Sequence, residues 1–343
     1  MCAFVLSDGT QISDYKEPYI IAEMNTSHNG NIGTAKNMID KAKQSGCSCV
    51  KFQSWTEETL YSNNYYVENP MSKRIVKKFS LSPEQLKELS QYSKEKGIHF
   101  SSTPYSKKEV DFLIDECNAA FVKVSSMEIN NYPYLEYIAQ KKAPIILSTG
   151  MADMEEIKRA VRIIENAGNK NICLLHCVSI YPAKIETINL NNIIELRKEF
   201  KDYTIGFSDH TIGIEIPIAA TALGVSVIEK HFTLDKTKIG MDNQMATEPD
   251  EMEQMIRMCN NVCKSLGGYN RVVLPEELEQ RKKMRRSIVA SRSLRKDSII
   301  TENDLDAKRP GTGLPPERMY ELIGKKLNRD IECDELIFEK DFI

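Results

Sequence analysis

Two histidines each close a short apolar run, His210 at the end of TIGFSDH and His231 at the end of VSVIEKH. Imidazole is a common ligand of divalent metals, and two such ligands leave positions open for water and a substrate oxygen. If the runs are neighbouring strands, about 4.8 Å apart, both rings can reach one cation. With carboxylates nearby and no thiolates, Mn²⁺, Mg²⁺ and Zn²⁺ all fit, and a metal-free histidine pair is the alternative.

Basic and hydroxyl side chains end several of the other apolar runs. They are Lys51, Lys123 and Lys230, together with Thr103, Ser126, Ser148 and Ser208. Ammonium and hydroxyl groups brought together predict a pocket for a strongly anionic small molecule bearing phosphate or carboxylate. No Walker A loop and no G-x-G-x-x-G follows the first run, so a small phosphorylated acid is expected rather than a nucleotide.

The elements that would position these side chains are eight β-branched runs, each followed by a helical pattern with capping residues. The runs are YIIAE (19–23), CVKFQ (49–53), IHFSST (98–103), FVKVSS (121–126), PIILST (144–149), ICLLHC (172–177), TIGFSDH (204–210) and VSVIEKH (225–231). Eight such units over about 250 residues predict a parallel (β/α)8 TIM barrel, in which the strand ends share one rim. A doubly wound open sheet is the alternative.

The remaining histidines have structural interpretations. His176 lies in apolar LLHC and is expected in the core or behind the site, and His99 begins a run, at the opposite end of the barrel. His28 follows the first run and either lines the rim or caps its loop.

Composition divides the chain and limits its partners. Residues 1–267 are predicted to form the barrel, 268–284 a charged linker and 285–343 a small β-rich module. With a net charge of −3 and no apolar run of about 20 residues, neither nucleic acid nor a membrane is an expected partner. Nine cysteines without C-x-x-C or a secretory signal predict reduced thiols and a cytoplasmic location.

A set of motifs in order along nearly the whole chain resembles the sialic acid synthases, including the legionaminic and pseudaminic acid synthases. The motifs are IIAEMNTSHNG, VKFQSW, SSTPYS, FVKVSSMEINNYP, ILSTGM, LLHCVSIYP, GFSDHTIG, EKHFTLD and KRPGTG. The C-terminal module resembles the SAF, or antifreeze-like, domain. This resemblance implies that phosphoenolpyruvate, an N-acyl hexosamine and water give a nine-carbon 2-keto-3-deoxy acid and phosphate, by C–O cleavage.

The resemblance also implies roles for matching positions. Phosphoenolpyruvate would be held by Lys51, Lys123, Thr103, Ser126, Ser148, Ser179 and Ser208. The sugar would be bound by Gln53, Tyr181, Asp242 and, from the partner chain of a homodimer whose SAF domain covers the barrel, Arg309. His210 and His231 would hold Mn²⁺ or Mg²⁺, with Zn²⁺ or Co²⁺ as alternatives.

Three carboxylates receive catalytic roles alongside Lys51 and Lys123. Glu128 is the first choice for positioning the attacking water and Glu23 the second, while Glu229 is expected to orient the metal-bound oxygen or to support the metal's ligands from behind.

The sugar itself is left open, because Ser126-Met127-Glu128 departs from the Ser-Gly-Glu usual in sialic and legionaminic acid synthases. N-acetylmannosamine and a 2,4-diacetamido-trideoxyhexose are both candidates. Segment 54–80 is expected to fold over the barrel mouth and to shape this choice. The alternative enzymes are other phosphoenolpyruvate–aldose synthases that make seven- or eight-carbon acids, and outside enzymes the alternative is a carbohydrate-binding protein.

Overall fold

The structure is a computed structural model that describes residues 3–238 and 240–343. It divides into two compact units, residues 1–267 and 268–343. Apart from Cys2, which lies outside the described residues, the cysteines are free thiols and most are buried. Among the described residues, no helix is both long and apolar enough to cross a membrane.

Unit 1 contains a closed barrel of parallel strands, preceded by a short antiparallel pair, β1 (Ala3–Val5) and β2 (Gln11–Ser13). Within the described residues, the barrel strands are β3 (Tyr19–Glu23), β4 (Cys49–Gln53), β5 (His99–Thr103), β6 (Val122–Val124), β7 (Ile145–Ser148), β8 (Ile172–Cys177), β9 (Thr204–Asp209) and β10 (Val227–His231). The barrel closes where β10 pairs with β3 on one side and β9 on the other. This confirms the predicted barrel and excludes the open sheet.

Helices alternate with these strands along the chain. In unit 1 they are α1 (Ile32–Gln44), α2 (Asn63–Glu68), α3 (Pro70–Phe79), α4 (Pro83–Lys96), α5 (Lys107–Asp115), α6 (Tyr132–Gln140), α7 (Met154–Asn166), α8 (Asn191–Glu199), α9 (Glu215–Ala222) and α10 (Pro249–Ser265). Local capping sets their ends: Ser82 accepts a hydrogen bond from the Gln85 N–H at the start of α4, and Gly97 ends that helix at φ +67°. In α4, capping thus fixes where the helix begins and where it returns the chain to the barrel.

Side chains alternate between the two faces of each barrel strand, and both faces are buried. One face packs under the helices. The other faces the barrel interior, where an apolar cluster formed with the β1–β2 hairpin contains Phe4, Leu6, Ile12, Tyr19, Ile21, Cys49, Phe121, Ile146, Cys173, Leu175 and Val227. The polar residues that follow along this inward face therefore lie above an apolar layer, at the carboxyl ends of the strands.

Unit 2 has its own apolar core, which includes Ile288, Leu305, Leu327 and Ile337. It contains an antiparallel pair and two α-helices within the described residues. They are β11 (Ser287–Ala290), β12 (Leu305–Lys308), α11 (Pro275–Met284) and α12 (Met319–Leu322). The predicted linker 268–284 thus includes the helix α11 and groups with this unit.

Candidate active site

A cavity of about 290 Å³ opens at the carboxyl ends of the barrel strands. Most of the residues predicted for the site line it. They are Glu23, Lys51, Gln53, Thr103, Lys123, Ser126, Ser148, Tyr181, Ser208, His210, Glu229, His231 and Asp242. The barrel therefore brings side chains from all eight described strands or the loops after them into one chamber.

The floor of the cavity is a network of buried charges. Glu229 lies between two ammonium groups, with Oε1 3.2 Å from Lys123 Nζ and Oε2 3.7 Å from Lys51 Nζ. Lys51 also pairs with Glu23 and donates a hydrogen bond to Thr103 Oγ1 at 3.0 Å. Burial of charge is costly unless the charges are paired, so this network is stable only as a unit.

The two carboxylates of this network have opposite electrostatic environments. Burial by itself would raise the pKa of Glu229, but Lys123, Lys51 and the hydrogen bond from Ser208 outweigh it and lower the pKa to about 2. Burial dominates at Glu23 and, with repulsion from Glu229, raises its pKa despite the neighbouring Lys51. Glu229 is therefore a fixed anion, whereas Glu23 can hold a proton closer to neutral pH.

A directed hydrogen-bond chain orients Glu23. The phenol of Tyr105 donates to Gln53 Oε1 at 2.7 Å, and Gln53 Nε2 donates to Glu23 Oε1 at 2.9 Å. Because a phenol donating to the amide oxygen leaves the amide nitrogen facing the carboxylate, Tyr105 sets the orientation of Gln53.

Hydroxyl groups form one wall of the cavity. The Gly150 N–H donates to Ser126 Oγ at 3.0 Å. A Cβ at position 150 would lie 2.3 Å from Ser179 Oγ and 2.8 Å from Ser126 Oγ, so glycine is needed for this close approach. The Ser125 and Ser148 hydroxyls are buried and, within the described residues, have no hydrogen-bond partner. Unpartnered hydroxyls facing a cavity with two lysines suit an oxyanion ligand.

The two predicted metal ligands are neighbours in the cavity lining. The ring centroids of His210 and His231 are 5.4 Å apart at an interplanar angle of 71°. His210 Nδ1 lies 2.8 Å from the Val178 carbonyl oxygen, which can only accept, so Nδ1 carries a proton and Nε2 is the nitrogen that a metal would have to bind. Burial and the neighbouring His210 lower the pKa of His231 well below its ordinary value, so its ring is neutral.

This donor set fits a metal held by two protein ligands. In the part of the chain that the structure describes, no group of three or more His, Cys, Asp or Glu side chains is arranged to hold a metal ion. A cation between His210 and His231 would therefore take its other ligands from substrate and water, which is the open coordination that the sequence predicts.

The prediction that Lys230 contributes to the anion pocket is wrong. Lys230 lies between Glu229 and His231 on β10, so it points to the opposite face. There it is buried between the barrel and the helices, with Nζ 2.5 Å from Asp209 Oδ2.

Three predicted site residues are not among the described residues that line the cavity. Glu128 is half-buried and accepts a hydrogen bond from Asn131 at 2.8 Å, one layer outside. Ser179 lies behind the wall, 3.8 Å from Cys177 Sγ. Arg309 belongs to unit 2, so its role remains a prediction.

The other histidines are structural. His176 lies on the outward face, 2.6 Å from the Ile188 carbonyl oxygen. His99 bridges Tyr19 and Asp8 at the amino end of the barrel. His28 is buried and accepts from the Gly30 N–H, so it caps its loop and is not part of the cavity lining.

Sequence reasoning assigned no role to several lining residues, including Asn25, Tyr105 and Cys177. They lie in the motifs IIAEMNTSHNG, SSTPYS and LLHCVSIYP. Each is two residues beyond an inward-facing residue, and this spacing could have indicated that they line the cavity. Segment 54–80 also reaches the cavity, through Leu60 and Tyr61.

Comparison with known proteins follows the division of the chain. The model of the NeuB family matches residues 38–271, and the model of the SAF domain matches residues 285–343. The human N-acetylneuraminate-9-phosphate synthase is 36% identical over 98% of this chain and 95% of its own length. The Campylobacter jejuni N,N'-diacetyllegionaminic acid synthase is 38% identical over 94% and 100%. The crystal structure of N-acetylneuraminic acid synthetase from Leptospira borgpetersenii superimposes with a TM-score of 0.73 at 32% identity, covering 79% of this chain and 92% of that one.

Proposed function

The chain belongs to the NeuB family and carries a SAF domain, and from this premise we propose that it condenses phosphoenolpyruvate with an N-acyl hexosamine. Water is the third reactant, and the products are a nine-carbon 2-keto-3-deoxy acid and phosphate. Relatives named as synthases of N-acetylneuraminate 9-phosphate and N,N'-diacetyllegionaminic acid support the class of reaction. Those names differ in the sugar, so the acceptor is either N-acetylmannosamine, phosphorylated or free, or a 2,4-diacetamido-trideoxyhexose.

The observation that carries the proposal is the pair of buried lysines beside unpartnered hydroxyls. Lys51 and Lys123 share Glu229, and the Ser125 and Ser148 hydroxyls face the same cavity without a partner. A ligand with both carboxylate and phosphate would accept from the hydroxyls and strengthen the lysine contacts. Phosphoenolpyruvate has these two groups, and fixing both of them would hold its C3 in one orientation.

The sugar would occupy the outer part of the cavity. Gln53, Tyr181 and Asp242 supply polar groups there, and the loop of segment 54–80 adds the apolar Leu60 and Tyr61. Such a mixed wall suits an N-acyl sugar. We retain the proposal that Arg309 of a partner chain contacts the acyl group in a homodimer, and that the protein acts in the cytoplasm.

The chemistry follows from the charges around the cavity. A divalent cation held by His210 and His231 would polarise the aldehyde oxygen of the open-chain sugar. C3 of phosphoenolpyruvate then bonds to the aldehyde carbon, and the positive charge that develops at C2 lies near the anion of Glu229. Water adds at C2 and gives up a proton to a carboxylate, after which the C2–O bond breaks and phosphate leaves.

Two carboxyl groups are candidates for accepting the proton from water. Glu23 lines the cavity and has a raised pKa, whereas Glu128 lies one layer outside the cavity lining. Glu23→Gln and Glu128→Gln distinguish them. Substitution of the residue that accepts the proton should lower kcat with little change in the KM for either substrate. It should also remove the acidic limb of the pH–rate profile.

The test of the function is phosphate release from phosphoenolpyruvate with a panel of aldoses. An N-acyl hexosamine should support turnover, and phosphoenolpyruvate labelled with ¹⁸O at C2 should give labelled phosphate, because the C–O bond breaks. Greater activity with arabinose 5-phosphate or erythrose 4-phosphate than with every N-acyl hexosamine would contradict the proposal. Binding of sugars without turnover in any metal would favour a carbohydrate-binding protein.

The homodimer is tested by complementation. Mixing an Arg309→Ala chain with a His210→Ala chain should restore part of the activity, because one intact site then forms in the mixed dimer. Absence of rescue after subunit exchange is verified would show that each site is built from one chain.

A further inference from the structure

A buried ion pair lies directly behind the two histidines, on the opposite face of the same strands. Lys230 Nζ is 2.5 Å from Asp209 Oδ2 and donates to the Thr211 carbonyl oxygen at 2.9 Å. Lys230, Asp209 and Thr211 are each 1% exposed. The catalytic scheme above uses none of them, and a buried lysine and aspartate carry a desolvation cost that apolar residues would avoid.

Hydrogen bonds among the same three residues hold the chain on either side of His210. Asp209 Oδ1 accepts from the Thr211 N–H at 3.0 Å and from its hydroxyl at 2.9 Å, while Lys230 binds the carboxylate and the Thr211 carbonyl. His210 is the residue between Asp209 and Thr211. Because its two neighbours are held on the outer face, its side chain is directed into the barrel.

The pair also joins the two strands that carry the histidines. Lys230 and Asp209 are register partners across β9 and β10, and His231 follows Lys230 directly. An ion pair at this position resists both a shift between the two strand ends and a rotation of the 209–211 turn. Either movement would change the separation of the two imidazoles, which is 5.4 Å between centroids.

We propose that Lys230, Asp209 and Thr211 form a clamp that positions His210 against His231, so that both rings can serve one cation. Lys230 and Asp209 are positioning residues, since they lie on the opposite face from the reacting groups. The inference rests on the proposed function only for the cation, because the placement of the rings is a property of the chain itself.

The test replaces the pair without leaving a buried charge unpaired. In the double variant Asp209→Asn/Lys230→Met, the amide can still accept from the Thr211 N–H, but the link to β10 is lost. Single variants would leave one charge buried and could fail to fold.

A second ion pair of similar chemistry provides the matched control. Arg197 binds Asp14 at 2.8 Å and donates to the Leu223 and Gly224 carbonyl oxygens, at the turn that precedes β10. This places it at the amino end of the barrel. The control variant Asp14→Asn/Arg197→Met therefore removes a comparable link away from the histidines.

Two measurements are made on both double variants and on the wild type, after circular dichroism shows that each is folded. The first is the affinity for Mn²⁺ alone, from electron paramagnetic resonance titration. The second is the ¹⁵N spectrum of the histidine rings, assigned by single histidine substitutions, which reports whether His210 keeps its Nδ1 proton on the Val178 carbonyl.

We expect the clamp variant to bind Mn²⁺ about 10- to 100-fold more weakly, as when groups behind metal ligands are lost, and to show a mixture of His210 tautomers. The control should match the wild type in both measurements. Equal Mn²⁺ affinity and unchanged His210 signals in the clamp variant would overturn the inference. The contact of His210 Nδ1 with the Val178 carbonyl and the 2.9 Å hydrogen bond from the Ala183 N–H to the His210 carbonyl would then suffice to position the ring.

If the wild type binds no Mn²⁺, the metal in the proposed function is wrong and the ring spectra alone decide about the clamp. Disturbed His210 signals in the clamp variant only would then support it. Undisturbed signals would overturn it.

Discussion

Replacing Glu229 with glutamine would remove the anion that lies between two buried lysines while keeping the shape of the side chain. Lys51 would retain Glu23 as a partner. Within the described residues, Glu229 is the carboxylate that pairs with Lys123, at 3.2 Å, and that lysine would be left buried beside a neutral amide. The change should therefore cost stability as well as activity.

The size of this loss follows from the lowered pKa of Glu229 and from the cost of leaving Lys123 unpaired. The fall of the Glu229 pKa from an ordinary value of 4.5 to about 2 corresponds to about 3 kcal/mol of the free energy of unfolding. Removing one partner of a buried ion pair generally costs about 3–5 kcal/mol. We expect a loss of about 3 kcal/mol at pH 7, which lowers Tm by roughly 6–12 °C for a domain of this size.

The contribution of Glu229 to the free energy of unfolding depends on pH in a defined direction. The folded-state pKa of Glu229 lies below 4.5, so its contribution is complete above that pH and is lost as the pH falls toward about 2. The difference in unfolding free energy between wild type and Glu229→Gln should therefore be constant from pH 8 to pH 5 and narrow below that range.

The assay is urea unfolding followed by circular dichroism at a series of pH values. Glu116→Gln is the matched control, because Glu116 pairs with Lys87 at 2.9 Å while both side chains are about half exposed. An exposed pair contributes little, so this variant should unfold like the wild type. The reasoning is refuted if Glu229→Gln is as stable as Glu116→Gln at pH 7, or if the difference between them does not change with pH.

Three further predictions concern the cavity wall, the sugar site and the metal. Gly150→Ala should raise the KM for phosphoenolpyruvate at least about 10-fold in the phosphate-release assay, because its methyl group displaces the hydroxyl of Ser126, whereas Gly268→Ala, with open space around it, should not change it. Tyr105→Phe should raise the KM for the sugar roughly 2- to 10-fold and leave that for phosphoenolpyruvate unchanged, because Gln53 loses one hydrogen bond; equal effects on both substrates would contradict this. A chelator should abolish wild-type turnover and Mn²⁺ or Mg²⁺ should restore it, but neither metal should restore His231→Ala; turnover that resists chelation would show that no metal is needed.

Much of the fold could be read from the sequence because parallel strands that are buried on both faces leave a strong local signal. Runs such as ICLLHC and TIGFSDH are apolar, bounded by helical patterns and repeated often enough to close a barrel. The rim could be predicted for the same reason, since the inward-facing polar residues at the end of an apolar run enter the barrel mouth. Residues two apart, such as Lys51 and Gln53, accordingly line the same cavity.

The partners of each charged group could not be predicted from the runs themselves. Glu229 contacts Lys51 and Lys123, which lie on strands far apart in the chain, and the distances among them depend on the register and closure of the whole barrel. Glu128 is outside the cavity lining for a related reason: it follows β6 in a short 3₁₀ turn, whose direction is set by packing rather than by strand alternation.

The sequence by itself determined the class of fold, the order of the strands and the residues that end them, because each depends on local apolar pattern and on motifs. Only the tertiary structure decided which of two adjacent residues faces the cavity. In Glu229-Lys230-His231 the alternation was evident, yet both faces of the strand are buried, so hydrophobic pattern gave no indication of which face is the interior. Closure of the barrel resolved this by placing Glu229 and His231 inside and pairing Lys230 with Asp209 outside.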